Sequence, residues 1–309
     1  MGKTAFIFPG QGTQYCGMGK DFYEGYDTAR KVYVQAGQAV GLDVAQLCFT
    51  ENEKLDITEY TQIAMLATEV AILKVLEEKG VKADCAAGLS LGEYGALAAA
   101  KVMELEALFR LIRCRGIYMQ EAYPVGGGMA AVLGLDVDTI GEICEQTQGI
   151  VSIANDNCPG QIVITGEETA VRAASAKLQE AGAKRCIPLK VSGPFHSALL
   201  AGAGEKLAGE LESVSVQKPQ IPYICNVEAA YVTECDSVKE LLVRQVSGTV
   251  RWRESMERML ADGVTTFIEI GPGKTLAGFL KKMNREVKVV SIGTVKEMET
   301  FLGESSNAT

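Results

Sequence analysis

The chain has 309 residues, of which 47% are hydrophobic, and a formal net charge of −9; its mean hydropathy is +0.10. That is enough apolar material for one large domain or two unequal ones, and the acidic balance argues against a nucleic-acid partner. No apolar run approaches a membrane span and the N-terminus reads straight into a strand, so a cytoplasmic protein with no membrane role is expected.

The nine cysteines show no Cys-x-x-Cys spacing and sit in apolar contexts such as Leu47-Cys48-Phe49. This suits reduced, buried thiols and neither a disulfide framework nor a zinc site. No residue cluster has metal-ligand spacing, so neither a metal nor a redox cofactor is expected.

In chain order, Thr4 to Phe8 alternate as a strand. It runs into Pro9-Gly10-Gln11-Gly12-Thr13-Gln14, a loop whose glycines could bring backbone amides close to a ligand. Residues 21–49 read as helices broken at Gly25, Gly37 and Gly41. Thr58 to Lys79 form a long amphipathic helix, with Ile63, Leu66, Ala67, Val70 and Leu73 at helical spacing and Gly80 closing it.

Small and apolar residues then run from Cys85 into Gly88-Leu89-Ser90-Leu91-Gly92-Glu93-Tyr94. Read as strand, sharp turn and helix, this is a Gly-x-Ser-x-Gly nucleophile elbow. The serine must sit at the tip of a strained turn so that its hydroxyl is exposed. Gly88 and Gly92 leave room where strand and helix backbones pass close together. The Leu91 amide then points where an oxyanion would form, at a helix N-terminus. An ordinary serine in a Gly-rich turn has the same pattern, so its surroundings must decide. Helices follow over Glu93 to Ala100 and Leu105 to Glu121, the second carrying Arg110, Arg113 and Arg115.

Gly126-Gly127-Gly128 marks a crossing between lobes. Beyond it, Met129 to Leu133, Val151 to Ala154, Gln161 to Thr165 and Cys186 to Val191 read as strands, with helices at Val137 to Gln146 and Thr169 to Ala181. That is the β-α-β-β-α-β order of a ferredoxin-like lobe. Helices then read at Ala198 to Leu211, Ser237 to Val246, Arg253 to Ala261 and Lys274 to Met283. Strands read at Ile221 to Val227, Thr266 to Ile270 and Val287 to Ile292, and Glu304 to Thr309 reads as a frayed tail. Alternation of this kind implies a mostly parallel sheet covered on both faces. The expected fold is α/β: an α/β-hydrolase-like core over 1–124 and 193–309, with a ferredoxin-like subdomain inserted over 125–192.

The single histidine, His196, lies where the inserted lobe returns to the main sheet. With Ser90 it makes a nucleophile and base pair. A hydrolase of this architecture would also need an acid to orient the imidazole. No acid stands out in the sequence, and a backbone or side-chain carbonyl could serve instead.

Several motifs in order carry a resemblance over nearly the whole chain. They are Phe8-Pro9-Gly10-Gln11-Gly12, Gly88 to Tyr94, Arg115-Gly116 with Met119-Gln120, and Gly128-Met129-Ala130-Ala131-Val132. They continue with Asn157-Cys158-Pro159-Gly160-Gln161, Pro194-Phe195-His196, Val243-Arg244-Gln245 and Glu269-Ile270-Gly271-Pro272-Gly273. The chain resembles the malonyl-CoA:acyl-carrier-protein transacylases of fatty-acid and polyketide synthesis.

The resemblance implies that Ser90 carries the malonyl group and His196 is the base, oriented by a carbonyl of Gln245. It implies an oxyanion hole from the amides of Gln11 and Leu91, and Arg115 as a two-pronged anchor for the free carboxylate. Gln161 and Phe195 complete the substrate-binding set, the phenylalanine ring crowding the space an α-methyl group would need. The partners implied are malonyl-CoA and an acyl carrier protein, with coenzyme A present only as the substrate thioester and the enzyme a monomer.

Two positions depart from the family pattern. Leu89 stands where a histidine commonly precedes the nucleophile, and Thr249 where a proline commonly follows the Gln245 segment. Service to a polyketide synthase, a serine hydrolase and a non-catalytic docking module are the competing readings. Carrier proteins are generally acidic, so docking on this acidic chain needs a local basic patch. Lys184, Arg185 and Lys190, or Lys274, Lys281, Lys282 and Arg285, are the candidates.

Overall fold

The computed structural model describes residues 2–191 and 193–306. The expected limit of the small lobe at Ser192 and the last three residues of the tail lie outside the described residues.

Among the described residues, ten strands form two sheets. They are β1 (Lys3–Phe8), β2 (Cys85–Gly88), β3 (Gly127–Leu133), β4 (Val151–Cys158), β5 (Gln161–Glu167), β6 (Arg185–Pro188), β7 (Tyr223–Ile224), β8 (Tyr231–Val232), β9 (Val264–Ile270) and β10 (Lys288–Ile292). The larger sheet has the order β10-β9-β1-β2-β7-β8. Its pairs are parallel except β7 with β8.

Alternation along β1 decides what each face meets. Phe6 and Phe8 join one buried cluster, while Ala5 and Ile7 join another with Trp252, Met256, Leu276 and Leu280. Helices α1 (Lys20–Gly25), α2 (Asp27–Val40), α3 (Val44–Phe49), α4 (Thr58–Glu78), α5 (Gly92–Ala99) and α6 (Leu105–Ala122) cover the first face or pack on those that do.

The smaller sheet has the order β4-β5-β3-β6, with antiparallel pairs. Helices α7 (Val137–Glu145) and α8 (Glu168–Glu180) cover one side of it, burying Ile140, Cys144, Ala174 and Leu178 against Ala130, Val132, Ile162 and Ile164. The alternate residues Met129, Ala131 and Val163 face a cleft between the sheets. The chain then adds α9 (Ala201–Glu212), α10 (Val238–Ser247), α11 (Trp252–Ala261), α12 (Thr275–Met283) and α13 (Val295–Ser306). Of these, α11 and α12 cover the second face of the large sheet and also pack on β4.

Several sequence readings need correction. Gly37 does not break a helix but lies inside α2. Helix α4 is not amphipathic towards solvent: Thr61, Gln62, Thr68 and Glu69 on its polar side are buried too. It runs between α2 and α6, so both of its sides meet protein. The strand expected over Ile221 to Val227 shrinks to two residues, and the first turn expected for α9 is a separate 3₁₀ turn, Ala198–Leu200. The helix α13 takes in Glu304, which read as frayed tail. All nine cysteines are free thiols.

Candidate active site

Register brings the loops together. Phe8 pairs with Gly88 across parallel strands, so the loops after β1 and β2 leave the sheet side by side, where ligands bind in such sheets. The Leu89 amide donates to the Phe8 carbonyl at 3.0 Å. The turn is as tight as the spacing implies. A Cβ on Gly88 would stand 1.8 Å from the Gly92 carbonyl oxygen, and one on Gly92 would stand 2.2 Å from that of Phe8. Ser90 takes a left-handed backbone, φ 57°, a conformation costly for a residue with a Cβ.

The Ser90 hydroxyl lies 2.7 Å from His196 Nε2. On the other side of the ring, Nδ1 donates to the carbonyls of Gln245 at 3.0 Å and Gly248 at 3.1 Å. That fixes the tautomer: Nδ1 holds the proton and Nε2 accepts from the serine. Among the described residues no carboxylate touches the ring, and carbonyls do the orienting. Burial, helped by the Arg115 charge, lowers the His196 pKa to about 4, against the raising effect of the two carbonyls. The imidazole is therefore neutral near pH 7.

Arg115 is 1% exposed. Its Nη1 donates to Gln62 Oε1 at 2.7 Å, and its Nη2 to Gln245 Oε1 at 3.0 Å and to Ser90 Oγ at 3.2 Å. None of these oxygens belongs to a carboxylate. Its Nε is buried and has no hydrogen-bond partner among the described residues. The guanidinium also lies over the Tyr94 ring, 5.8 Å from its centroid. A cation so placed has unused capacity for an anion beside the Ser90 hydroxyl.

These groups open on a cleft of about 550 Å³ lined by residues of both sheets, including Gln11, Gln62, Leu91, Gln161, Phe195 and His196. Leu91 precedes the first residue of α5. The amides of Gln11 and Leu91 have no hydrogen-bond acceptor among the described residues. Phe195 is buried at the cleft wall. Gln161 also lines the cleft, but its Oε1 accepts from Lys282 Nζ at 2.8 Å. Leu89 packs beside Gly10, where an added Cβ would stand 2.8 Å from its Cδ2.

Four further residues complete the site. Gln62 and Gly248 contact Arg115 and His196 as described. Asn226 accepts the Ser90 amide at 2.7 Å through Oδ1 and donates Nδ2 to the Gly88 carbonyl at 2.7 Å. Glu93 Oε2 accepts the Asn226 amide at 3.1 Å and Gln245 Nε2 at 2.8 Å. Only Glu93 carried a signal in the sequence, as an acid in a helix of small apolar residues.

The model of the acyl transferase domain matches residues 5–302. A malonyl CoA-acyl carrier protein transacylase of Bacillus subtilis is 42% identical, with the match covering 100% of both chains. The crystal structure of a malonyl CoA-acyl carrier protein transacylase from Clostridium perfringens superposes with a TM-score of 0.96 at 42% identity, covering 99% of this chain and 98% of that one. A malonyl-transacylase solved in complex with its type II PKS acyl-carrier protein gives 0.94 at 39% identity, covering 98% of this chain and 99% of that one. The chain belongs to the acyl transferase family, among its malonyl CoA-acyl carrier protein transacylases.

Proposed function

We propose that this chain moves a malonyl group from malonyl-CoA to the phosphopantetheine thiol of an acyl carrier protein, through a malonyl ester on Ser90. One observation carries the reading: the Ser90 hydroxyl touches a neutral imidazole on one side and a buried guanidinium on the other.

In the first half, Ser90 Oγ attacks the thioester carbonyl carbon and passes its proton to His196 Nε2. The tetrahedral oxyanion is received by the Gln11 and Leu91 amides. The carbon–sulfur bond breaks, and coenzyme A leaves with the proton from His196. In the second half, His196 takes the proton of the incoming thiol, the thiolate attacks the ester, and Ser90 recovers its hydrogen. Arg115 holds the malonyl carboxylate throughout, while Phe195 limits the room at the α-carbon and Gln161 lines the approach.

The same reading makes coenzyme A a substrate rather than a resident cofactor and needs no metal. It takes the enzyme as a monomeric cytoplasmic protein serving fatty-acid synthesis, apart from nucleic acid and membranes. No helix among the described residues is long and apolar enough to cross a membrane. The neighbour bound to a polyketide carrier supports polyketide service as the second reading.

The fold reads at finer grain as an α/β-hydrolase-like core, residues 1–124 and 193–309, with a ferredoxin-like lobe, 125–192. Supporting this are the parallel pairs beside the elbow, the β-α-β-β-α-β order and the strand order β4-β5-β3-β6 of the lobe.

Intact mass decides the function. Malonyl-CoA should add one malonyl group to the wild type and none to Ser90→Ala, and a pantetheinylated carrier protein should remove it. Loss of the label without any thiol would make the chain a hydrolase. Arg115→Ala should lose malonyl transfer and keep acetyl transfer, with discrimination shifting by up to roughly 10⁴-fold. Equal loss of both would leave Arg115 a structural residue.

A further inference from the structure

Gln245 touches nearly every working part, through its backbone and its side chain. Its backbone carbonyl accepts from His196, its Oε1 accepts from Arg115, and its Nε2 donates to the Ser90 carbonyl at 2.8 Å and to Glu93 Oε2 at 2.8 Å. A terminal amide can be turned end for end with little steric cost, which exchanges its donor and acceptor. Turned over here, Oε1 would face two acceptors, the Ser90 carbonyl and the Glu93 carboxyl, while an NH₂ would face the Arg115 guanidinium. Glu93 thus acts with the Ser90 carbonyl and Arg115 itself to select the orientation that presents an oxygen to Arg115.

Glu93 and Gln245 are fully buried, so a misplaced donor or acceptor has no water to turn to. Glu93 also accepts the amide of Asn226, the residue that clamps Ser90 on one side and Gly88 on the other. Both bonds to Glu93 end on Oε2, and Oε1 has no partner among the described residues. A proton on Oε1 would therefore leave both in place.

We infer that Glu93 is a positioning residue for acyl selectivity: through Gln245 it aims Arg115 at the substrate carboxylate, and through Asn226 it holds the elbow. This rests on the reading of Arg115 as the carboxylate anchor. Glu93 itself touches no reacting atom. What it contributes is an acceptor at Oε2, which a glutamine supplies equally well, with its NH₂ in the place of Oε1.

The test measures initial self-acylation rates with malonyl-CoA and acetyl-CoA on wild type, Glu93→Gln, Glu93→Ala and Glu93→Leu, the last filling the volume if alanine leaves too large a cavity. The ratio of the two rates does not depend on how much of a preparation is folded. Glu93→Ala and Glu93→Leu should lower the malonyl-to-acetyl ratio about tenfold, the scale of one lost positioning hydrogen bond. Glu93→Gln should restore it to within about threefold of wild type. An unchanged ratio in the alanine and leucine variants overturns the inference, as does a glutamine variant as unselective as they are. If none of the variants folds except Glu93→Gln, its ratio alone still decides between acceptor and charge. Arg115→Ala run alongside separates the two levels. If it keeps the wild-type ratio, the anchor reading fails. If it collapses the ratio while Glu93→Ala does not, only the role of Glu93 fails.

Discussion

An imidazole closed in by protein and set near a guanidinium gives up its proton early, and His196 has both conditions. Its pKa of about 4 lies below the ordinary 6.5. As the proposed base it is therefore ready over a wider range than a solvated histidine would be. We predict that kcat/KM for self-acylation by malonyl-CoA stays level as pH falls through 6.5 and declines only towards the His196 pKa of about 4. Arg115→Ala, measured with acetyl-CoA, should move that decline to higher pH, because the guanidinium lowers the histidine pKa. A break near 6.5 in the wild type would contradict the enclosure. The stability sign agrees: between about 4 and 6.5 the unfolded chain binds more protons at His196. The folded state therefore loses stability as pH falls through that window. The sequence revealed Ser90 and His196 because a strained turn demands its glycines and because no other imidazole exists. It did not reveal Asn226 or Gly248. An asparagine two residues past a short strand, and a carbonyl, have no pattern by which to be found, since they act through position alone.

At the scale of elements, the elbow works because β2 and α5 nearly touch. Gly88→Ala would place a methyl 1.8 Å from the Gly92 carbonyl oxygen and 2.4 Å from the Glu93 amide nitrogen, both backbone atoms that cannot rotate away. We expect this substitution to cost about 3 kcal/mol or more in stability, at the upper end for overpacking. Calorimetric unfolding checks it, and a Tm unchanged from wild type would mean that the elbow can open without loss. This element was legible because its constraint is written in residue type. Helix α4 was less so, since helical spacing shows which residues face one core but not that a second layer covers the opposite side. Gln62 lies on that side and carries no signal of its own in the sequence, although it holds Arg115. Strand β8 has only two residues, too short for an alternation to show.

Across the whole molecule, β4 of the smaller sheet is tied to the segment between α10 and α11. The Val250 amide donates to the Ala154 carbonyl at 2.8 Å, the Asp156 amide to the Val250 carbonyl at 3.0 Å, and the Thr249 hydroxyl to the Ile153 carbonyl at 2.7 Å. The departure at Thr249 thus adds a bond to β4 that a proline could not make. On the same side, α12 joins two surfaces. Its Thr275, Leu276 and Phe279 line the cleft, while Lys281, Lys282 and Arg285 line a shallow basic hollow with Lys288. Lys274 is tied to Glu297 at 2.8 Å and Lys288 to Glu304 at 3.5 Å, which leaves the last turn of α12, with Lys281 and Lys282, as the better cationic face. Lys184 and Arg185 are exposed at and beside β6, an edge strand of the smaller sheet. An acidic carrier must approach a chain of net charge −9, so local charge governs how often a productive encounter occurs. Lys281→Glu with Lys282→Glu should therefore lower kcat/KM for the carrier protein roughly tenfold and flatten its dependence on salt. Self-acylation by malonyl-CoA should change far less, and that comparison matters because Lys282 also holds Gln161. Lys184→Glu with Arg185→Glu is the parallel arm. If that pair lowers carrier use while the α12 pair does not, the carrier docks on the small lobe. If neither does, charge does not guide the encounter.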